Sequence, residues 1–350
     1  MKIAYVDVML DGHHMSYMNA LVEKNRNCIL ILPKKNKNFL DINQYILDSE
    51  MLHKHPIKYL KWIYEIKRII KQEKVDVVHF LYGDTFYRYF GFGLNMFDRE
   101  RLIITFHHVR RSRIRDFSLK MIFKHIKIGV VHTESIIKDI KDMGINNVKH
   151  IEYPQFNKFL EMNTIEAKRE LKIESNYPLI SVIGGTREDK GLDILLDALN
   201  YVNEPFHLLV AGQAITFDEK YINEKIKNYK KDTTIILKYL SDNELNTCLN
   251  ASDIIVLPYR KCFDGASGPL AEGVWLRKVI IGPNHKSLGK IIEKNSLGIT
   301  FESENIKDLA RAINKTLKES IKWSEKAESY REKLEVKYFI DSYKNIYDLL

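Results

Sequence analysis

The sequence predicts an α/β protein of two tandem, doubly wound domains, and three observations lead to this class. The chain has 350 residues, and at about 150 residues per domain this length indicates two domains. Short apolar runs rich in Val and Ile alternate with longer amphipathic segments, the order expected for parallel strands covered by helices. Both halves show this Rossmann-like order, and because no short internal repeat is present, solenoid folds are excluded.

The first half contains six apolar runs that we interpret as buried strands, because strands covered on both faces are nearly continuous in apolarity. The strands are predicted at Lys2–Val8, Cys28–Leu32, Val75–Leu81, Leu102–His107, Ile128–His132 and Val148–Ile151. Helices are predicted at Met15–Asn25, Ile57–Gln72, Phe117–His125 and Glu134–Met143.

The second half repeats this organisation. Strands are predicted at Leu179–Ile183, His207–Ala211, Thr233–Leu237, Ile254–Leu257, Val279–Ile281 and Gly298–Thr300. Helices are predicted at Gly191–Tyr201, Lys220–Tyr229, Asp242–Asn250, Ser267–Leu276, Ser287–Lys294 and Ile306–Leu317. Ser241 followed by Glu244 forms a capping-box pattern before the third of these helices.

The polar segment Glu152–Tyr177 marks the expected boundary between the domains, which we place at 1–163 and 164–331. Two such domains in tandem are expected to face a shared cleft, lined by the loops that follow the strands. The final stretch, Ile321–Leu350, is helical in pattern and needs a partner for its apolar stripe. The stripe consists of Tyr338, Phe339, Ser342, Ile346 and Leu349.

Composition excludes several classes of protein. The longest segment without an acidic or basic residue is Pro205–Phe217, 13 residues, whereas a membrane-spanning helix needs about 20 apolar residues. Asp7 and Asp11 interrupt the apolar run that a signal peptide would require. Three cysteines without a common spacing argue against a disulfide or zinc framework, and we predict a cytoplasmic protein. The cysteines are Cys28, Cys248 and Cys262.

Excess positive charge is confined to the first half. Residues 1–165 carry 27 basic and 18 acidic residues, a net charge of +9, whereas residues 166–350 carry 28 of each. The excess is concentrated in residues 54–74 and 110–127, where Trp62, Tyr64, Phe117 and Phe123 are interleaved with the cations. Such a field attracts an anionic partner, although a solvated helix face is the simpler interpretation of either segment alone. We expect an anionic membrane surface, and no nucleic-acid-binding motif is present.

The motif GGTREDKG, Gly184 to Gly191, follows a predicted strand and begins a helix. Glycines there let the backbone approach a ligand, and the cations Arg187 and Lys190 lie beside a helix N-terminus. The pattern favours a diphosphate site, with an exposed turn as the alternative. The Walker pattern is absent.

The motif FDGASGPLAEG, Phe263 to Gly273, follows another predicted strand. Ser267, Gly268 and Pro269 are typical of a helix start, whose amides can bind a phosphate. Asp264 and Glu272 flank this start and are suited to sugar hydroxyls, because a carboxylate accepts two hydroxyl hydrogens.

Together these two motifs resemble those of the GT-B glycosyltransferases of family 4. The connecting segment from Tyr239 to Tyr259 is similar as well, and the resemblance covers nearly all of the second half. In the first half it is limited to the loop at residues 11–14 and the segment TFHH, Thr105 to His108. In that fold the last helix returns to the first domain, so the resemblance implies that residues 332–350 pack there.

The resemblance also implies roles for single residues. Arg187 and Lys190 would hold the donor diphosphate, Glu272 the ribose, and Asp264, where the family usually has Glu, the donor sugar. His107 would face that sugar. The remaining donor-binding candidates are Gly12, His13, Gly185, Tyr239, Ser267, Gly268, Pro269 and Leu270.

We therefore expect a retaining, hexosyl-type glycosyltransferase that uses a UDP- or GDP-linked sugar as its substrate and needs no cofactor. The acceptor would be a glycan or a lipid-linked saccharide in cell-surface polysaccharide synthesis, and the protein would be peripheral on the cytoplasmic face of the membrane. No DxD pair follows a strand, so no metal is expected. A nucleotide-sugar epimerase and a non-catalytic, nucleotide-sugar-binding partner subunit remain the alternatives.

Overall fold

The computed structural model describes residues 1–10, 13–107, 109, 112–157, 159–227, 232–263, 267–319 and 321–350, with the side chains of His13 and Ser135 excepted. The chain divides into two compact α/β units. The first comprises residues 1–156 and 336–350, and the second comprises residues 157–335.

The first unit contains a parallel sheet of seven strands in the order β3-β2-β1-β4-β5-β6-β7. The strands are β1 (Ile3–Val6), β2 (Cys28–Leu32), β3 (Gln44–Ile46), β4 (Val77–Phe80), β5 (Leu102–Phe106), β6 (Ile128–Val131) and β7 (Val148–His150). The helices of this unit are α1 (His13–Lys24), α2 (Pro56–Gln72), α3 (Arg113–Lys124), α4 (Glu134–Asp142) and, from the end of the chain, α13 (Val336–Tyr347).

The second unit contains a parallel sheet of six strands in the order β10-β9-β8-β11-β12-β13. The strands are β8 (Leu179–Ile183), β9 (His207–Ala211), β10 (Thr233–Ile236), β11 (Ile254–Val256), β12 (Val279–Pro283) and β13 (Gly298–Phe301). The helices are α5 (Thr164–Glu170), α6 (Leu192–Leu199), α7 (Glu219–Lys225), α8 (Asp242–Ala251), α9 (Gly268–Trp275), α10 (Lys286–Lys294), α11 (Ile306–Lys318) and α12 (Glu325–Lys333).

Each sheet is buried on both faces, as its uninterrupted apolar strands require. In β1, Ala4 and Val6 belong to one core while Ile3 and Tyr5 belong to the core on the opposite face. Successive side chains of a strand point to opposite faces of the sheet, so the run IAYV serves both cores. The predicted α/β class of two doubly wound domains is therefore confirmed.

The boundaries between the units differ by a few residues from those expected at 163 and 331. Phe159 is buried in a core of the second unit, and the Asn250 amide binds the Leu160 carbonyl oxygen at 2.9 Å. Leu334 belongs to the same core. Burial of these two apolar side chains therefore assigns residues 157–163 and 332–335 to the second unit.

Helix α13 packs on the first sheet, but its buried face differs from the expected stripe. Phe339 and Ile346 are buried as expected, whereas Tyr338 and Leu349 are exposed. The remaining buried positions are Tyr343 and Tyr347. Residues at 339, 343, 346 and 347 lie on one side of a helix because they follow its 3.6-residue period.

Two hydrogen bonds attach α13 to the strands. The Tyr343 hydroxyl lies 2.8 Å from the Thr105 hydroxyl, and the Tyr347 hydroxyl lies 2.8 Å from Nδ1 of His79. Burial lowers the pKa of His79 to about 3, so this imidazole is neutral in the core. The last helix is thus fixed to β4 and β5 by both apolar and polar contacts.

Among the described helices, none has the length and apolarity needed to cross a membrane.

Candidate active site

Each unit has one group of polar side chains at the point where the strand order of its sheet reverses. Doubly wound sheets bind ligands at this point. In the first unit this point lies between β1 and β4, and in the second between β8 and β11.

Glycines bring the turn after β8 against two neighbouring loops. Gly191 has a φ of +65°, and a Cβ there would lie 2.1 Å from the Pro258 carbonyl oxygen. Gly212, after β9, has a φ of +141°, and a Cβ there would lie 2.2 Å from the Gly184 carbonyl oxygen. Only glycine tolerates both the positive φ and the close approach of a neighbouring carbonyl oxygen at these two positions. The backbone of residues 184–191 is therefore closely supported by the loops after β9 and β11.

Two cations extend from this turn. The Lys190 ammonium lies 3.8 Å from the Tyr259 ring centroid and 4.3 Å from that of Phe263, distances that favour cation–π attraction. The Arg187 guanidinium forms two hydrogen bonds to Asp189, of 2.9 and 2.8 Å. The pair lowers the pKa of Asp189. One cation is therefore held by aromatic rings and the other by a neighbouring carboxylate.

Arg260 fixes the position of the turn, although no motif in the sequence indicated this role. Its Nη2 atom lies 2.6 Å from the Asp193 carboxylate, its Nε donates to the Glu188 carbonyl oxygen at 2.9 Å, and its amide donates to the Asp189 carbonyl oxygen at 3.0 Å. Arg260 connects the segment after β11 to the turn after β8. Tyr259 and Phe263 were missed as well, and the only signal in the sequence was the aromatic–basic run YRKCF.

The start of α9 lies beside the same turn. The Ser267 hydroxyl caps the helix by accepting from the Leu270 amide at 3.3 Å, and it lies 3.1 Å from the Tyr259 hydroxyl. A Cβ on Gly184 would lie 3.9 Å from the Pro269 ring. The two motifs of the second half therefore meet in the structure. Leu270 is buried in the core, so only its backbone can face a ligand.

Glu272 is placed over this helix start. A Cβ on Gly268 would lie 3.5 Å from Oε1 of Glu272. Burial raises the pKa of Glu272 to about 7, while the nearby Lys190 charge acts in the opposite direction. In the part of the chain that the structure describes, no hydrogen bond reaches this carboxylate. A carboxylate in this state is suited to a ligand that donates hydrogen bonds.

Two further candidates of the second unit, Tyr239 and Gly185, lie in the part of the chain that the structure describes. Tyr239 follows β10 and is 83% exposed. Gly185 lies in the turn, where a Cβ would approach Cδ1 of Ile215 to 2.8 Å. Asp264 and Gly12 lie outside the described residues, and His13 is described only as the first residue of α1. Their expected roles stay predictions.

In the first unit, His107 lies at the end of β5 within a ring of aromatic and imidazole side chains. Its Nε2 donates to the Leu81 carbonyl oxygen at 2.9 Å, since a carbonyl can only accept. Its ring centroid lies between 5.3 and 5.7 Å from those of four neighbours. The neighbours are His14, Tyr17, Tyr82 and His132.

A buried Asp–His pair lies beside His107. The Asp7 carboxylate oxygens lie 3.1 and 3.0 Å from Nδ1 of His14, and one of them also accepts the Val8 amide at 2.7 Å. His14 belongs to the loop at residues 11–14 that carries the resemblance, but no motif indicated its pairing with Asp7. The available signal was an acidic residue directly after a buried strand.

Among the described residues, no group of three or more His, Cys, Asp and Glu side chains is arranged to hold a metal ion.

The two units, each with a doubly wound parallel sheet, define the class of GT-B fold glycosyltransferases. Residues 163–335 match the model of the family described as "Glycosyl transferases group 1", and residues 2–107 match "Glycosyl transferase 4-like". The chain belongs to the group 1, family 4 type of GT-B glycosyltransferases.

Two curated relatives support this assignment. An uncharacterized glycosyltransferase of Methanocaldococcus jannaschii is 24% identical over 268 residues, which cover 73% of this chain and 70% of the relative. The granule-bound starch synthase 1 of Pisum sativum is 27% identical over 148 residues, which cover 37% of this chain and only 24% of the synthase.

Solved structures share the whole fold. A glycosyltransferase from Rickettsia africae ESF-5 superimposes with a TM-score of 0.79 at 19% identity, covering 99% of this chain and 98% of its own. Anabaena Alr3699/HepE, solved in complex with UDP and glucose, superimposes with a TM-score of 0.75 at 12% identity, covering all of both chains. At these identities the likeness concerns the fold.

Proposed function

We propose that this glycosyltransferase transfers a hexose from a UDP- or GDP-linked donor to a glycan or lipid-linked saccharide acceptor, with retention of configuration and without a metal ion or cofactor. The observation that carries the proposal is the grouping of Arg187, Lys190 and Glu272 around the start of α9. The complex of Anabaena HepE with UDP and glucose is consistent with such a donor.

The cations of the turn would bind the donor diphosphate. Lys190 and Arg187 follow β8 at the switch point of the second sheet, and the start of α9 adds the partial positive charge of a helix N-terminus. Breaking the bond between the sugar and the diphosphate leaves negative charge on the phosphate oxygens. Groups already in place to stabilise that charge lower the barrier, which is the main catalytic work in this proposal.

The acceptor side completes the reaction. The acceptor hydroxyl forms the new bond to the sugar carbon as the bond to the diphosphate breaks, and its proton passes to a phosphate oxygen. Retention and the placement of Asp264 and His107 near the donor sugar follow from the family resemblance. His107 lies at the carboxyl end of β5, where a side chain can reach a ligand at the sheet edge.

The donor pocket should titrate near neutrality. Lowering the pH from about 8 to about 6 is expected to weaken binding of the bare nucleotide diphosphate, because the Glu272 pKa of about 7 leaves the carboxyl increasingly protonated and less able to accept two ribose hydroxyls. Calorimetric titrations across this range measure the effect. Glu272→Gln is the control, since the phosphate groups also titrate, and an identical pH profile in both proteins would contradict the role of Glu272.

A donor screen that reads out nucleotide release, with and without saccharide acceptors, tests the function itself. Acceptor-dependent release with one donor supports transfer. Conversion of the donor sugar without an acceptor identifies an epimerase instead. Nucleotide binding without release or conversion identifies the non-catalytic subunit.

We further propose that the first unit docks on an anionic membrane surface on its cytoplasmic side, consistent with a role in cell-surface polysaccharide synthesis. Four aromatic side chains are interleaved with the cations of residues 54–74 and 110–127. Two of them, Trp62 and Phe123, are buried in the core and therefore cannot contact a membrane. Tyr64 and Phe117 are exposed, and so is Ile114. Exposed apolar side chains beside Arg113 and Arg115 suit a headgroup boundary.

Liposome co-sedimentation tests the docking. The wild type is expected to bind anionic but not neutral vesicles and to be released by salt, because each cation near the surface contributes about 1 kcal/mol. Replacing Arg110, Arg111, Arg113 and Arg115 by Glu should abolish binding. The matched control replaces four exposed lysines of the second unit by Glu, at Lys220, Lys290, Lys307 and Lys326. Wild-type protein that stays in the supernatant at low salt would refute the docking.

A further inference from the structure

The first unit contains a cavity of about 540 Å³ that none of the sequence motifs predicted. It lies between the 3-10 helix that follows β4, Gly83–Tyr89, and the first turn of α3. The cavity is lined by His53, Tyr82, Asp84, Tyr87, Arg88, Phe90, Ile114 and Arg115. The Ser118 hydroxyl donates to the Tyr87 carbonyl oxygen at 2.7 Å, so the two walls are joined.

The cavity presents positive charge. Arg88 and Arg115 both line it, and within the described residues neither guanidinium forms an ion pair with a carboxylate. By contrast, Arg99 and Arg101 of the same unit lie within 3.1 and 3.4 Å of acidic side chains. Two guanidinium groups facing one cavity favour a phosphate, which offers oxygens matched to their planar donors.

Part of the lining of the same cavity is apolar. Phe90 and Ile114 line it, and the Phe90 ring centroid lies 5.8 Å from that of Phe117. Ile114 is 71% exposed and Phe117 57% exposed. Phe90 has a φ of +53°, a strained conformation for a bulky residue. Arginines and exposed apolar side chains around one cavity fit an amphiphile with an anionic head.

The cavity lies close to His107, the residue that is proposed to face the donor sugar. Tyr82 lines it, and the Tyr82 ring centroid lies 5.7 Å from that of His107. Asp84 lines it as well and can accept hydrogen bonds from saccharide hydroxyls. A ligand in the cavity would therefore lie one ring away from His107, within the same unit.

We infer that this cavity binds the acceptor by a lipid phosphate: Arg88 and Arg115 bind the phosphate, and Phe90, Ile114 and Phe117 contact the hydrocarbon chain. The inference rests on the proposed function, because it concerns the acceptor of that same transfer. It narrows the acceptor to phosphate-bearing lipids or their saccharide conjugates.

Calorimetric binding of hexyl phosphate tests the inference, with inorganic phosphate and hexyl glucoside as the comparison ligands. The wild type should bind hexyl phosphate more tightly than either. Arg88→Met with Arg115→Met, which keeps apolar side chains of similar length, should weaken hexyl phosphate binding by at least about tenfold. Arg99→Met with Arg101→Met is the matched control and should bind as the wild type does.

A second variant separates the lipid from the phosphate. Ile114→Ser with Phe117→Ser changes two exposed positions, so the fold is retained, and it should weaken binding of hexyl phosphate but not of inorganic phosphate. Inorganic phosphate binding as tightly as hexyl phosphate would overturn the lipid part. Wild-type affinity in the Arg88/Arg115 variant, or equal affinity for hexyl glucoside, would overturn the inference.

The proposed function can fail independently of this inference. UDP and GDP binding is measured on the same Arg88/Arg115 variant and should equal that of the wild type, because neither arginine is among the proposed donor-binding residues. Donor-dependent nucleotide release without hexyl phosphate binding would refute the cavity alone. Hexyl phosphate binding that depends on the arginines, without nucleotide binding, would support the cavity and refute the proposed function.

Discussion

Lys190→Ala is expected to lower the rate of sugar transfer by roughly 30- to 900-fold, which corresponds to about 2–4 kcal/mol of lost transition-state stabilisation. The ammonium contacts the faces of Tyr259 and Phe263 and lies close enough to Glu272 to influence its pKa. It is thus held where the diphosphate is proposed to bind, and its removal takes away a charge that opposes the developing phosphate charge.

Arg187→Ala is expected to have an effect of the same order. In the structure its guanidinium binds Asp189, and the Arg187 side chain is about half exposed. An exposed ion pair of this kind contributes at most about 1 kcal/mol, so a donor diphosphate can compete for the guanidinium. The observed pairing therefore does not argue against a role in donor binding.

Initial rates of nucleotide release in the presence of acceptor measure both effects. The control variant Lys290→Ala removes an exposed lysine of the same unit and should leave the rate unchanged. Thermal unfolding should show that Lys190→Ala and Arg187→Ala are both folded. Lys190→Arg keeps the charge and should retain more activity than Lys190→Ala. Rates equal to the wild type in Lys190→Ala and Arg187→Ala would remove the diphosphate assignment.

The sequence predicted the strands of the second sheet closely, because each is a short apolar run bounded by polar or glycine residues. The bounds of β8 and β9 coincide with the expected ones. By contrast, the sequence did not indicate β3, Gln44–Ile46, because this edge strand begins with a polar residue and has no buried side chain, so no apolar run marks it. Helix α5 lies within the polar segment that the sequence marks as the domain boundary, because this helix is short and polar, with only Ala167 buried.

The arrangement of the candidate site was predictable where it depends on consecutive residues. The turn at 184–191 and the start of α9 are both local motifs, and the structure joins them at the switch point of the sheet. Arg260, the Asp7–His14 pair and the cavity at Arg88 and Arg115 depend on residues that meet only through the tertiary fold. No spacing in the chain could reveal them.

Glu272→Gln is expected to weaken binding of the bare nucleotide diphosphate by roughly 10- to 100-fold, because a hydrogen bond to a charged group contributes about 1.5–3 kcal/mol. The amide keeps the shape of the side chain, but it has one accepting oxygen where the carboxylate has two. Calorimetry with UDP and GDP measures the effect without knowledge of the sugar. Glu319→Gln, at an exposed position of the same unit, is the control and should bind normally.

The free energy of unfolding separates a ligand-binding role of Glu272 from a structural one. Burial raises the Glu272 pKa from 4.5 to about 7, so the charged carboxylate is less favourable in the folded protein than in the unfolded chain. Above pH 7 the charged carboxylate therefore lowers the free energy of unfolding, and this destabilisation disappears as the pH falls through about 7. Above pH 7, Glu272→Gln should therefore leave the free energy of unfolding unchanged or raise it. Weaker nucleotide binding in a variant of equal or greater stability would assign the carboxylate to the donor. Unchanged affinity, or affinity lost together with stability, would make Glu272 a structural residue.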